Sequence, residues 1–317
     1  MATFSNELKD EICLLNIDNQ ENALSELSAI IKSCGEIRLK QNKWLVVLST
    51  EYDGLLNRVN KLLYLIYKTK ATQQVVNEFN RERKEIIFPL DLSEKILVDT
   101  EVMFYDEDKS LCLNSGISDY IIQDEEQMRE YLKGVVLGCF TSNIIFNEDK
   151  GKSTGYHVEF VFSGEEMALD FSELLSQFEI ISKKIERKNQ HVVYIKDFEQ
   201  ICLLLEVLQV PKTYLKLKNE NTMREVRNQI NRQNNCFIGN STKTVNASVK
   251  QLEAIKIIDS VIGIEKLEEP LQRVCYLRMA NPEESLDNLV KLSLEPITKS
   301  GLNHRLQKII KIASELK

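Results

Sequence analysis

Residues 27–37 read LSAIIKSCGEI and residues 132–142 read LKGVVLGCFTS. Aligned without a gap, they set Ala29 over Gly134, Ser33 over Gly138 and Cys34 over Cys139. In each copy the small residues stand four apart, one helical turn, so two such helices can approach closely along that stripe. A chain that carries this stripe twice, about a hundred residues apart, is expected to repeat what surrounds it as well.

The hydrophobic periodicity agrees. From residue 21 it predicts a helix to about 33, the strand-like runs GEIRLKQ and KWLVVLST, and a helix over 51–68. The runs QQVVNEFN and KEIIFPL and a helical stretch from 91 complete an αββαββα unit. From residue 124 the order returns: a helix to about 139, the runs SNIIFN and YHVEFVFS, and a helix opened by the capping-box pattern Ser163-x-x-Glu166. The runs IISKKIE and HVVYIKD and a helix to 210 follow. Two copies of one supersecondary unit imply a pseudo-two-fold body in which each copy buries its face against the other. The segment between them, residues 101–120, keeps aromatic and aliphatic residues and is expected to be an ordered connector.

After Pro211 the strand signal stops. An Asn-, Lys- and Arg-rich stretch is followed by three expected helices, over about 269–279, 285–293 with Ser285 as cap, and 298–313 after a short LEPI turn. That order is the shape of a helix-turn-helix. The expected fold class is therefore α+β, a pseudo-two-fold body with an all-α C-terminal domain. Its expected segments are 1–100 for the first half, 101–211 for connector and second half, and 212–317 for the helical domain, with the helix-turn-helix at about 269–313.

Composition limits the chemistry. The chain has 317 residues, 43% of them apolar, enough for two or three compact units. Its first residues carry acids and its longest apolar runs fall short of a membrane span, so a cytoplasmic protein with no membrane partner is expected. Seven cysteines are scattered and never paired as CxxC, and three histidines, His157, His191 and His304, stand far apart. Neither a disulfide framework nor a zinc, other metal or cofactor site is expected from them. The net charge of −7 hides an asymmetry: residues 212–317 hold 18 Lys and Arg against 12 Asp and Glu, which leaves 23 against 36 in residues 1–211. A basic domain on an acidic body points to nucleic acid at one end only.

NSTKTVNASVKQLEAI (240–255) and ITKSGLNHRLQKIIKIA (297–313), together with the paired αββαββα units, resemble the WhiA family of bacterial regulators. The two halves look like those of a LAGLIDADG homing endonuclease. The resemblance covers nearly the whole chain. It implies double-stranded DNA as partner and a role in cell division and chromosome segregation or sporulation control. It also implies two carboxylates at the ends of the paired helices, where such a nuclease holds divalent ions. Cys34 and Cys139 occupy those positions, Ser33 and Gly138 beside them lack a carboxylate, Phe140 replaces a glycine, and Glu36 is a single acid. A thiol is a soft ligand and a poor host for magnesium, so catalysis is expected to be absent.

Stepped at 100° per residue, the last helix buries Leu302, Leu306, Ile309, Ile310 and Ala313. Ser300, His304, Gln307, Lys308 and Lys311 fall opposite, a set suited to base edges and phosphates of a major groove, with Lys299 and Arg305 at the sides. Upstream, Arg227, Arg232 and Lys243 offer phosphate donors among Arg224, Asn228, Asn231 and Asn234, although NNCFIGNS also carries turn chemistry. The tips around Arg38, Lys40 and Lys43 and around Lys183, Lys184, Arg187 and Lys188 are read as matching basic hairpins able to touch DNA. The alternative to a DNA-binding regulator is an interaction scaffold whose acidic body binds a protein or small ligand, with weak, non-specific DNA contact.

Overall fold

The computed structural model describes residues 3–17, 19–78, 81–144 and 155–316. A leading helix α1 (Phe4–Leu14), capped by Thr3, precedes the first repeat: α2 (Gln20–Cys34), β1 (Gly35–Lys40), β2 (Lys43–Thr50), α3 (Leu55–Tyr67), β3 (Thr72–Glu78), β4 (Arg81–Ile87) and α4 (Leu90–Asp99). A hairpin of β5 (Met103–Tyr105) and β6 (Leu111–Leu113) forms the connector. The second repeat comprises α5 (Glu125–Cys139), β7 (Phe140–Ser142), β8 (Val158–Phe162), α6 (Glu165–Gln177), β9 (Lys183–Arg187), β10 (Gln190–Ile195) and α7 (Phe198–Val207). The sheets share one antiparallel order, β1-β2-β4-β3 and β7-β8-β10-β9, so the body is the expected pair of αββαββα units. The run SNIIFN, expected as a strand, contributes Ser142 to β7, and its residues 145–147 lie outside the described residues.

The two halves meet where the aligned small residues predicted. A Cβ on Gly134 would stand 2.6 Å from the Ala29 Cβ and 2.4 Å from the Glu26 carbonyl oxygen, and one on Gly138 would stand 2.4 Å from the Ser33 Cβ. Residues equivalent by sequence are thus partners in space, as expected for positions on a two-fold axis. Around the crossing, Leu27, Ile30, Leu132, Val135 and Val136 are fully buried in a core that reaches the inner faces of both sheets through Val46, Leu48, Phe160 and Val193.

The connector is fastened by side chains of α2. Ser25 Oγ donates to the Ile121 carbonyl at 2.6 Å, Ser28 Oγ to Thr100 at 2.7 Å, and Lys32 Nζ to the Asn114 and Gly116 carbonyls. Burial lowers the Lys32 ammonium to a pKa of about 8. One local expectation fails: α6 starts at Glu165 with Gly164 as N-cap and no side-chain cap bond, so Ser163 does not form a capping box. Ser163 stands one residue too early for its hydroxyl to serve that turn.

The chain then forms α8 (Pro211–Val261), a helix of 51 residues, followed by α9 (Glu269–Ala280), α10 (Leu286–Leu292) and α11 (Lys299–Glu315). The chain divides inside α8 into two compact units, the first ending at Thr222 and the second starting at Met223. The turn chemistry of NNCFIGNS does not break α8: residues 231–243 are helical and exposed. In the second unit Ala254, Ile255 and Ile258 of α8 pack on Leu271, Val274 and Cys275 of α9, Leu289 of α10, and Leu302, Leu306, Ile309 and Ala313 of α11. Ser285 accepts from Asn288 N and Thr298 from Gly301 N, so both helices of the helix-turn-helix carry side-chain caps. Arg278, 2% exposed, donates from Nη1 to the carbonyls of Asn281 and Glu284 and so holds the turn between α9 and α10.

Candidate nucleic-acid interface

Thr298 starts α11 and its 3.6-residue period sorts the side chains. Leu302, Leu306, Ile309 and Ala313 face the core, and Ile310 lies at its edge, half-buried. Ser300, His304, Gln307 and Lys311 are exposed along the opposite strip. Asn303, not singled out from the sequence, is exposed beside them and adds an amide with donor and acceptor. Its signal was present in the period, where it falls next to Gln307 rather than on the buried face.

The flanks differ from the sequence expectation. Lys308 Nζ pairs with Glu268 Oε2 at 2.9 Å, and Lys299 Nζ with Asp287 Oδ2 at 2.6 Å. Lys308 therefore leans toward the start of α9 instead of standing at the centre of the outer strip. Both pairs are exposed, so they hold little energy and can open, but each offsets the ammonium it engages. Arg305 is half-buried on the α9 side.

On α8, Arg227, Arg232 and Lys243 are exposed, with Arg227 Nε donating to the Met223 carbonyl of its own helix at 3.2 Å. Arg224, Asn228, Asn231, Asn235 and Asn246 recur on one side of this helix.

The two hairpin tips are not equivalent, contrary to the expectation. In the repeat β1–β2 corresponds to β7–β8, whereas Lys183–Arg187 is β9, which corresponds to β3. Arg38 is also drawn onto the sheet, bonded to Glu36 and Glu85 at 2.6 Å each, and Lys43 pairs with Asp91 at 2.6 Å. Lys183, Lys184, Arg187 and Lys188 remain exposed, with no acidic partner among the described residues.

Cys34 and Cys139 are the last residues of α2 and α5 and lie together at the end of the helix crossing. Burial pushes both thiols up to about 12, and the Glu36 carboxylate is engaged by Arg38. Neutral soft donors do not fit an oxygen-seeking divalent ion, and the described residues contain no cluster of three metal-ligating side chains. At pH 7.5, Cys34 and Cys139 in the native protein should alkylate at least about a thousandfold more slowly than an ordinary thiol of pKa near 8.5. Denaturant should abolish the difference, which mass mapping of the labelled cysteines would read.

Among the described residues no helix is long and apolar enough to cross a membrane. Residues 20–103 match the model of the WhiA N-terminal LAGLIDADG-like domain, residues 128–227 that of the WhiA LAGLIDADG-like domain, and residues 230–313 that of the WhiA C-terminal HTH domain. A Clostridium beijerinckii protein named "Probable cell division protein WhiA" is 37% identical over 320 residues, covering 99% of each chain. Its namesake from Clostridium acetobutylicum is 35% identical, covering 99% of this chain and 98% of that one. The crystal structure of full-length DUF199/WhiA from Thermatoga maritima matches over 99% of both chains with a TM-score of 0.58 at 26% identity.

Proposed function

The chain belongs to the WhiA family, and on that premise we propose that it is a non-catalytic, sequence-preferring DNA-binding protein that regulates transcription in cell division and chromosome segregation. The observation that carries this reading is the outer strip of α11, a capped helix whose exposed side presents one hydroxyl, one imidazole, two amides and one ammonium opposite the apolar face of Leu302, Leu306, Ile309 and Ala313. Such a strip matches the donors and acceptors of base edges in a major groove. The division role is supported by the name its Clostridium relatives carry.

In this reading Ser300, His304, Gln307 and Lys311 meet base edges and the nearest phosphates. Lys299, Arg305 and Lys308 flank them, the two lysines exchanging Asp287 and Glu268 for phosphate oxygens. Arg227, Arg232 and Lys243 of α8 add backbone contacts. The body contributes no strand cleavage, since the ends of α2 and α5 carry neutral thiols, and association with the nucleoid follows from duplex binding.

Lys311→Glu is expected to weaken duplex binding about 10- to 100-fold and to reduce the slope of log affinity against log salt by about 1. Lys308→Ala is expected to cost less than Lys311→Ala, because Glu268 already offsets the Lys308 charge. Fluorescence anisotropy over a salt series measures both, and equal losses would remove the structural distinction between the two lysines.

The reading as a whole is tested by incubating the protein with fragmented genomic DNA and magnesium at near-physiological salt, then sequencing the retained fragments and their ends. Intact fragments concentrated at a few loci are expected. Even recovery across the genome would favour the scaffold alternative, and new ends at defined positions would overturn the non-catalytic assignment.

A further inference from the structure

The stretch TVNASVKQ, residues 244–251, has no part in the DNA-binding reading. On α8 its residues divide by the helical period. Ser248 and Gln251 are 3% and 2% exposed and continue into Ala254, Ile255 and Ile258, the face of α8 that packs into the core of the second unit. Lys243, Asn246 and Lys250 are exposed. At 100° per residue they fall about 140–160° away from Ser248, on the same side as Arg232. Arg232, Lys243 and Lys250 thus form one row of cations on the far side of the helix, about 27 Å long at 1.5 Å per residue.

The inward face is joined to the rest of the unit by directed bonds. Ser248 Oγ donates to the Pro282 carbonyl in the turn between α9 and α10. Arg278 of α9, 2% exposed, donates from Nη1 to carbonyls on either side of Pro282 in that turn, Asn281 at 3.3 Å and Glu284 at 2.8 Å. The turn runs directly into Ser285, the cap of α10, and Leu289 of α10 packs with Leu302 and Leu306 of α11. A continuous set of contacts therefore leads from Ser248 to α11.

These polar groups are costly where they stand. Arg278 Nε and Gln251 Oε1 are buried with no hydrogen-bond partner among the described residues, and a buried polar atom left unpaired is destabilising. Apolar side chains would fill the same space at lower cost. They would also constrain the rotation of α8 about its axis less sharply than a hydrogen bond directed at a fixed carbonyl.

We propose that Ser248 and Arg278 are positioning residues for DNA binding: with the turn over 281–284 they latch α8 in one rotation, which aims the row of Arg232, Lys243 and Lys250 at the duplex that α11 reads. The proposal rests on the DNA-binding reading and deepens it, giving buried side chains a part in recognition without any contact to DNA.

The test is a set of double-variant cycles in the full chain, with a mixed-sequence DNA duplex at low salt as probe and fluorescence anisotropy as readout. In the native protein Lys243→Ala and Lys311→Ala should each weaken binding about tenfold. In an Arg278→Met background shown to be folded by circular dichroism, Lys243→Ala should cost less than about twofold, since its row is no longer aimed, while Lys311→Ala should still cost about tenfold. Ser248→Ala, a smaller change, should cut the cost of Lys243→Ala at least about threefold with the same selectivity, and it decides alone if Arg278→Met does not fold. Should Lys243→Ala cost as much in these backgrounds as in the native protein, the latch is overturned and the DNA-binding reading stands. Loss of both lysine effects together would also overturn it, because Arg278 would then support the whole domain rather than α8. A native protein that does not bind the duplex would overturn the DNA-binding reading and the latch with it.

Discussion

Arg58→Ala is expected to destabilise the body by about 3–5 kcal/mol at neutral pH, the cost of removing one partner from a buried ion pair. Arg58 and Glu26 have fully buried side chains, joined by two parallel bonds of 2.7 and 2.6 Å, with Arg58 Nη1 also donating to the Leu15 carbonyl at 2.6 Å. Alanine would leave the Glu26 carboxylate without its counter-ion beside the helix crossing. Burial already acts to raise the Glu26 pKa and Arg58 is the main opposing influence. Once Arg58 is gone, Glu26 should keep its proton in the folded state well above the unfolded value near 4.3. The sign follows: the unfolded state then binds fewer protons above that value, so the penalty grows as pH rises from about 4 and shrinks below it.

Urea denaturation at pH 4.5 and 7.5 measures this, and a penalty independent of pH would show that Glu26 does not carry it. The double variant Glu26→Leu/Arg58→Met should cost much less than Arg58→Ala. Replacing both members of a buried pair with apolar groups is often close to neutral.

Gly134→Val should be nearly as severe, at about 3 kcal/mol, the upper range for overpacking a filled interior. Even the first added carbon would stand 2.4 Å from the Glu26 backbone oxygen and 2.6 Å from the Ala29 Cβ. The oxygen belongs to the backbone of α2, so the whole helix must shift. The gain in helix propensity on losing a glycine, about 1 kcal/mol, is too small to offset this. Gly239 in α8 is the internal control: nothing stands within 4 Å of a Cβ there, so Gly239→Ala should stabilise by about 1 kcal/mol or less. Opposite signs at the two glycines in one denaturation series are expected. A neutral Gly134→Val would mean that the two halves are less closely packed than the structure has them.

The fold was legible because its signals are local or repeated. Ala29, Ser33, Gly134 and Gly138 share a spacing that only closely packed helices require, and they meet across the pseudo-two-fold as aligned. Ser285 and Thr298 mark helix starts because a cap acts within three residues of itself. The apolar period of 302–313 named the buried face of α11, and with it the outer strip, apart from Asn303.

Charge pairing was not legible. Arg38 finds Glu85, 47 positions on, Lys43 finds Asp91 at 48, and Lys308 finds Glu268 at 40. Each pairing offsets the charge of a cation that spacing alone offers to DNA. The two basic hairpins differ for a related reason, since basic composition at two tips says nothing of their order in a sheet.

By itself, then, the sequence determined the double αββαββα body and the capped helices of the C-terminal domain, since each depends on residue type and spacing within a few turns, and it placed thiols at Cys34 and Cys139 where the resemblance implies paired carboxylates. Tertiary structure alone decided where α1 sits, that Glu11 caps α8 from some 200 residues away, and which lysines pair with a carboxylate. Electrostatic partners are chosen by distance in space, and for these side chains distance along the chain carries no information about it.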